Sequence, residues 1–209
     1  MKQATGSNAP RHVDKVSIQR SLDGHSFSVP ALDDIAPDAE RVEVEVVTAQ
    51  TMLVPGELFV PEAAAELLAA AGLACMKGQT AVWSRPARLD SETEAVAVMA
   101  IDESILHSIR KHLGDRAEFT TPLLAGPTQG RPTLWLRHKA SVLYIKVFDR
   151  SLRMAEAIRV PREADILYFV ERLAGVFPLD RMILHLADAR TAELRKSIGK
   201  RFKQVVCES

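Results

Sequence analysis

The sequence lacks long apolar runs. No window of its 209 residues contains the roughly 18 consecutive apolar residues that a membrane-spanning helix requires. The first 15 residues contain Gly, Ser, Asn and Pro but no apolar stretch of the kind found in a secretory signal peptide. We therefore interpret residues 1–15 as a flexible tail, and we expect a cytoplasmic protein without a membrane span.

Cysteine is scarce and neither sign of charge is in excess. Cys75 and Cys207 are far apart in a chain without an export signal, so we expect two buried thiols in a reducing compartment and no disulfide. The 27 basic and 27 acidic residues cancel, which removes the long-range positive field of proteins that bind phosphate backbones. Nucleic acid is therefore a disfavoured partner.

Common catalytic motifs are also missing. There is no Gly-x-Ser-x-Gly, P-loop, Cys-x-x-Cys or His-Glu-x-x-His pattern. His107 and His112 share a predicted helix but lie five positions apart, so they do not form an i, i+4 metal-binding pair. The predicted first strand carries no carboxylate before Asp23, whereas a magnesium-dependent nuclease of the ribonuclease H type would need several. We expect no catalytic residue and no metal site.

Residues 16–124 contain a succession of strand and helix patterns. Strands are predicted at residues 16–21 and 26–29 around Asp23-Gly24, because Asp-Gly between alternating runs is typical of a hairpin. Apolar and charged residues alternate over Arg41–Val47, which predicts a strand with one solvent-facing side. The other predicted elements are a helix at 62–71, a strand at 95–100, a helix capped by Asp102 and closed by Gly114, and a strand at 117–121.

Residues 133–209 repeat this order of elements. Three strands in a meander are predicted at residues 133–137, 142–148 and 153–160, and a helix at 163–177 that Pro178 ends. A buried strand at 182–186, a helix at 189–201 and a closing strand at 204–207 complete this half.

The order β-β-β-α-β-α-β thus appears twice, and internal repetition constrains architecture more than single propensities do. We predict an α/β protein with mixed sheets and a duplicated ribonuclease-H-like fold, the architecture of actin-like ATPases. The predicted first lobe is 16–124, the linker is 125–132, and the second lobe is 133–209.

Four stretches carry a resemblance to a bacterial family described as a domain of unknown function and related in fold to actin-like ATPases. They are residues 17–29 (SIQRSLDGHSFSV), 53–59 (LVPGELF), the meander 142–159 and the helix segment 165–170 (DILYFV). The first two are the more specific. The resemblance implies a fold, because the family carries no established activity.

An actin-like ATPase holds its nucleotide with three loops, and all three are deficient here. The first hairpin has Asp23 and Gly24 without the Asp-x-Gly spacing, which favours a plain turn. The corresponding turn of the second lobe has His138 and Lys139 but no glycine or carboxylate. Asp188 stands where a Gly-Gly loop would pass the adenine, and it is better interpreted as a helix N-cap. These five residues are candidates for an inter-lobe cleft, in which we expect neither ATP nor Mg²⁺.

The last predicted helix carries a local excess of positive charge. Its basic residues form a candidate basic surface: Arg190, Arg195, Lys196, Lys200 and Arg201. A solvated helix face with favourable charges near its C-terminus is the simpler interpretation, and an acidic protein, a membrane surface or RNA is the alternative.

Two functions remain open. The first is a non-catalytic binding or scaffold protein that holds a protein or peptide in the cleft or on a sheet edge, as the resemblance to pilus-assembly relatives of this fold implies. The second is a weak or altered nucleotide-binding enzyme that reaches phosphate through Gly24. The oligomeric state is not predicted.

Overall fold

Three sheets with helices packed on them make up the described part of the chain, so the protein is mixed α/β. The computed structural model describes residues 13–19, 35, 39–126, 130–187 and 191–208. The predicted hairpin around Asp23 and Gly24, and the positions of Asp188 and Arg190, lie outside these residues.

The first half of the chain contains seven described strands and two α-helices. In chain order they are β1 (Val13–Gln19), β2 (Arg41–Val47), β3 (Thr51–Pro55), α1 (Ala64–Ala70), β4 (Gln79–Trp83), β5 (Ala87–Arg88), β6 (Glu94–Asp102), α2 (Glu103–Leu113) and β7 (Ala117–Thr120). Short 3₁₀ turns at Gly56–Leu58 and Pro61–Ala63 precede α1, and another at Pro122–Leu124 follows β7.

The second half has five strands and two α-helices. They are β8 (Thr133–Lys139), β9 (Val142–Asp149), β10 (Ser151–Arg159), α3 (Glu163–Ala174), β11 (Ile183–Leu186), α4 (Thr191–Ile198) and β12 (Gln204–Cys207). The predicted order β-β-β-α-β-α-β is confirmed here, with both helices shorter than predicted.

The strands of the second half form one mixed sheet in the order β10-β9-β8-β11-β12. The meander β8-β9-β10 is antiparallel, whereas β11 runs parallel to both β8 and β12. One face of this sheet packs on α3 and α4 through the largest core cluster, which includes Leu134, Ile145, Ile166 and Ile198. The other face is turned toward the first half.

The first half differs from its prediction because its strands divide between two sheets. A parallel sheet has the order β1-β2-β7, and an antiparallel sheet has the order β3-β6-β4 with β5 also paired to β6. Strands β3, β4 and β5 were not predicted. The repeated β-β-β-α-β-α-β order is therefore not confirmed in the first half, although β1-β2-β7 and β8-β11-β12 are both runs of three parallel neighbours.

Packing explains why the sequence of β6 is a continuous apolar run. Residues 95–102 of this strand are all buried, because α1 covers one face of the antiparallel sheet while β2 and α2 pack on the other. A strand covered on both faces needs no polar side, as predicted.

Several local predictions need correction. Asp102 precedes α2, but its side chain makes no capping hydrogen bond and instead accepts one from Gln79 Nε2 at 3.2 Å. β1 begins at Val13, earlier than predicted, and so includes Asp14. Both cysteines are free thiols, but Cys75 is half-buried and Cys207 exposed, so the prediction of two buried thiols is wrong.

Candidate functional site

The two candidate residues at the β8–β9 turn point to opposite sides of the mixed sheet, since successive side chains of a strand alternate. His138 Nε2 lies 3.1 Å from the carbonyl oxygen of Val160, at the end of β10. Lys139 reaches the first half of the chain. Of the contacts described for these two residues, those of Lys139 reach the interface between the halves.

Lys139 enters a charged group that we call the Glu45 cluster, formed by Ser17, Glu45, Arg137 and Lys139. Ser17 on β1 and Glu45 on β2 are register partners, and the Ser17 hydroxyl donates to Glu45 Oε1 at 3.2 Å. Lys139 Nζ donates to Ser17 Oγ at 2.9 Å and also bonds Glu45 Oε1. Arg137 Nη1 approaches Glu45 Oε2 at 3.5 Å.

Burial makes this cluster structurally important. The side chain of Glu45 is 2% exposed, whereas Lys139 and Arg137 are 23% and 25% exposed. The predicted solvent-facing side of β2 is thus wrong at Glu45, because β2 lies between β1 and β7 and faces the second half. A buried carboxylate with several donors acts as an anchor, and its removal from water is tolerated only because it is paired.

Apolar packing forms a second contact between the halves. Val47 and Leu123 pack against Trp135, Val142 and Tyr144 of the mixed sheet in one buried cluster. The Tyr144 hydroxyl donates to the Thr48 carbonyl oxygen at 3.3 Å. Burial raises the pKa of Tyr144 far above its ordinary value, so this hydroxyl stays a hydrogen-bond donor throughout the physiological range.

Asp90 makes the third contact. This buried residue follows β5, and its Oδ2 accepts a 2.6 Å hydrogen bond from the backbone N–H of Leu152 in β10. Burial alone would raise the pKa of Asp90, but the backbone N–H groups of Glu92, Leu152 and Thr93 donate to the carboxylate and hold its pKa below the usual value. Asp90 therefore stays ionised and ties the antiparallel sheet to β10.

The β8–β9 turn is a tight two-residue hairpin loop built without glycine. Ala140 and Ser141 have φ angles of 47° and 63°, the left-handed region that two-residue hairpins require and that glycine or asparagine usually occupies. Both residues place a Cβ where a phosphate-binding loop would present bare backbone N–H groups. The Ser141 carbonyl accepts a hydrogen bond from Val160 N at 2.8 Å, which fixes the loop to β10.

Lys146 is a buried cation on the same face of the mixed sheet. Its Nζ donates to the Ala125 carbonyl at 2.5 Å and lies 4.4 Å from the centre of the Trp135 ring. Burial lowers the pKa of Lys146 to about 8, although the carboxylate of Glu208 opposes the shift. Nearby, His185 Nδ1 lies 3.3 Å from Glu208 Oε1. Lys146 therefore fastens the segment after β7 to the mixed sheet.

The lowered pKa of Lys146 predicts a rise in stability with pH. Between pH 8 and 10 the folded protein releases the Lys146 proton while the unfolded chain, with a pKa of 10.5, retains it. The unfolded state then binds more protons, so the free energy of unfolding should rise by about 2 kcal/mol across this window. Urea denaturation from about pH 8 to 10 measures it.

Lys146→Met should abolish this rise in the free energy of unfolding with pH. Lys203→Met, at an exposed position, should retain it. Two groups oppose this rise, because the raised pKa values of Cys75 and Tyr144 keep their protons on in the fold while the unfolded chain releases them near pH 9 and 10. The titration therefore stops at pH 10, and the difference between the wild type and Lys146→Met isolates the contribution of Lys146. A slope equal in the wild type and in Lys146→Met would contradict this account.

The candidate basic surface is exposed where it is described. Arg195 and Lys196 lie on α4, and Lys200 and Arg201 in the following 3₁₀ turn. The charge of Arg201 is partly neutralised, because its guanidinium forms an ion pair with Glu171 of α3. Binding of an acidic protein, a membrane surface or RNA to this surface stays a prediction.

No group of three or more His, Cys, Asp or Glu side chains within the described residues could hold a metal ion. His112 Nδ1 instead lies 2.7 Å from the Ser108 carbonyl of its own helix. No helix in the described ranges is both long enough and apolar enough to span a bilayer.

Most of the interface residues were not identified from the sequence. Arg137, Tyr144 and Thr48 carry no motif and meet only in the folded chain. One signal was available: Lys146 interrupts the apolar run of β9, VLYIKVF, and a charge in such a run requires a buried partner.

Comparison with known proteins identifies the fold alone. A crystal structure of a Bacteroides thetaiotaomicron protein, described as having an actin-like ATPase fold and unknown function, matches with a TM-score of 0.67 and 16% sequence identity. The match covers 93% of this chain and 90% of that chain. The predicted likeness to actin-like proteins is thereby confirmed at the level of the fold.

A weaker match is the cytoplasmic domain of EpsL, an inner membrane component of the type II secretion system of Vibrio cholerae. Its TM-score is 0.42 at 14% identity, over 84% of this chain and 81% of that chain. No protein-family model and no curated protein matches the sequence.

Proposed function

We propose that this chain is a non-catalytic binding or scaffold protein of actin-like fold, and that its partner is another protein or a peptide. The observation that carries the proposal is the Glu45 cluster. Lys139, the cation of the β8–β9 turn nearest the interface, already bonds Glu45 and Ser17. A triphosphate at this turn would have to break that pairing and leave the buried carboxylate with Arg137 alone, at 3.5 Å.

The finer architecture is part of the proposal. Residues 16–124 and 133–209 would be two ribonuclease-H-like lobes, with β1-β2-β7 and β8-β11-β12 as their equivalent strands. The antiparallel sheet would then be an insertion between β2 and β7. The shared parallel order of the two strand triplets supports this arrangement.

The edge of the mixed sheet supports a peptide partner. Among the described strands, β12 pairs with β11 alone, and Lys200 and Arg201 immediately precede it. An extended acidic segment could add to such an edge through main-chain hydrogen bonds and meet Lys200, since Arg201 already pairs with Glu171.

Nucleotide binding provides the direct test. Thermal unfolding is measured with MgCl₂ alone and with MgCl₂ plus about 1 mM ATP, a concentration at which a micromolar ligand would stabilise the fold by several kcal/mol. We expect no change in Tm. A shift of several degrees would favour the alternative, a weak or altered nucleotide-binding enzyme. In that case, loss of the shift in Lys139→Met would place the nucleotide at the β8–β9 turn.

A further inference from the structure

Exposed apolar side chains lie beside the antiparallel sheet, at the 3₁₀ turn that follows β3 and at the end of β4. Leu58, Val60 and Trp83 are 65%, 52% and 40% exposed. Phe59 joins the two chain segments that contribute them, since its ring centre lies 5.9 Å from that of Trp83. Contiguous apolar surface with an aromatic centre is typical of protein–protein contacts.

A groove adjoins these side chains at Trp83. It has a volume of about 290 Å³ and lies where the edge strands β4 and β7 approach each other, at a single bridge between Ser84 and Phe119. Apolar side chains that line it include Ala81, Val82 and Phe119. Trp83 lines the groove and contacts Phe59, and so links the groove to the segment that carries Leu58 and Val60.

Charge is divided between the two parts of this surface. Residues 51–76 contain three glutamates, at positions 57, 62 and 66, but no lysine or arginine, and all three are exposed. The groove is bordered by Arg85 and Arg110. Of its acidic residues, Asp115 and Glu118, the latter is paired with both Arg41 and Arg85 at 2.7 Å.

We propose that this surface binds a second copy of the same chain in a closed two-fold dimer. Leu58 and Val60 of one copy occupy the groove of the other, and the glutamates beside them meet Arg85 and Arg110. A two-fold axis near Trp83 forms each contact twice, which is the requirement of an isologous interface. This inference is independent of the cleft, since neither Lys139 nor Glu45 takes part.

Analytical ultracentrifugation of the full chain over about 1–200 μM tests the proposal. We expect a monomer–dimer equilibrium. Trp83→Ala should weaken it at least about thirtyfold, the effect of losing an interface hot spot. Val176→Ser is the matched control, because Val176 is 74% exposed but lies after α3 in the other half. A wild-type monomer at every concentration, or a dimer unaffected by Trp83→Ala, would overturn the proposal.

Charge reversal distinguishes self-association through this surface from a general effect of mutation. Glu57→Lys with Glu62→Lys should give a monomer, and so should Arg85→Glu with Arg110→Glu. An equimolar mixture of the two variants should form a heterodimer, because each reversed contact then faces its complement. Circular dichroism verifies that both variants are folded. Failure of the folded variants to associate when mixed would contradict the proposed pairing.

Discussion

Gly126→Ala should lower the free energy of unfolding by about 3 kcal/mol, the sum of an overpacked core and a strained backbone. A Cβ at this position would lie 2.6 Å from Trp135 Nε1 and 3.0 Å from its Cε2. Trp135 is fully buried, so its ring has no solvent to move into. Gly126 also has a φ of +90°, which side-chain-bearing residues rarely adopt.

Gly72→Ala separates these two costs. Gly72 has a similar φ of +74° but no heavy atom within 4 Å of its added Cβ. Its substitution should therefore cost only the backbone term, about 1 kcal/mol. Urea denaturation of both variants measures the difference. Equal losses would show that the close approach to Trp135 does not limit the fold.

The second large effect is expected at the Glu45 cluster. Lys139→Met should destabilise the protein by about 2 kcal/mol, less than the full cost of breaking a buried pair because Arg137 remains near the carboxylate. Glu45→Gln should cost less, since it leaves two cations that are partly exposed and can recover hydration. The double variant should be more stable than the sum of the single losses predicts.

The exposed pair between Arg162 and Asp165 is the control for this cycle. Its Arg162 side chain is 80% exposed, and Arg162→Met should change the free energy of unfolding by no more than about 0.5 kcal/mol. Added salt should reduce that small contribution further and affect the Glu45 cluster less, since buried pairs are poorly screened. If Lys139→Met and Arg162→Met had equal effects, the Glu45 cluster would not be an anchor.

These contacts bear directly on function. Hinge closure around a ligand requires two bodies that can separate at low cost. Here the Glu45 cluster, the Tyr144 hydroxyl and the Asp90 carboxylate each tie the first half to the mixed sheet. Strong anchoring at three places is what the proposed scaffold, which presents fixed surfaces, requires.

Local patterns in the sequence were sufficient for many elements. The alternation in Arg41–Val47 and the closing strand Gln204–Cys207 were placed at their observed bounds. Gly114 ends α2 with a φ of +56°, as expected for a glycine after a helix. The whole order of the second half was predictable because each element there has its own period and its own punctuation.

Pairing between distant segments was decided only by the tertiary structure. Strands β3 and β4 lie in stretches without a clear period, and they form because β6 offers a partner on each side. Glu45 appeared as a solvent-facing residue because alternation shows which side chains share a face and not which face is covered. The cations that pair with its carboxylate, Arg137 and Lys139, lie 92 and 94 positions away in the sequence.

The sequence by itself thus determined the element types of the second half and the absence of glycine from the β8–β9 turn, because these depend on neighbouring residues. The folded chain decided the division into three sheets and the charged anchor between the halves. Both depend on contacts between segments far apart in the sequence, and such contacts leave no local period.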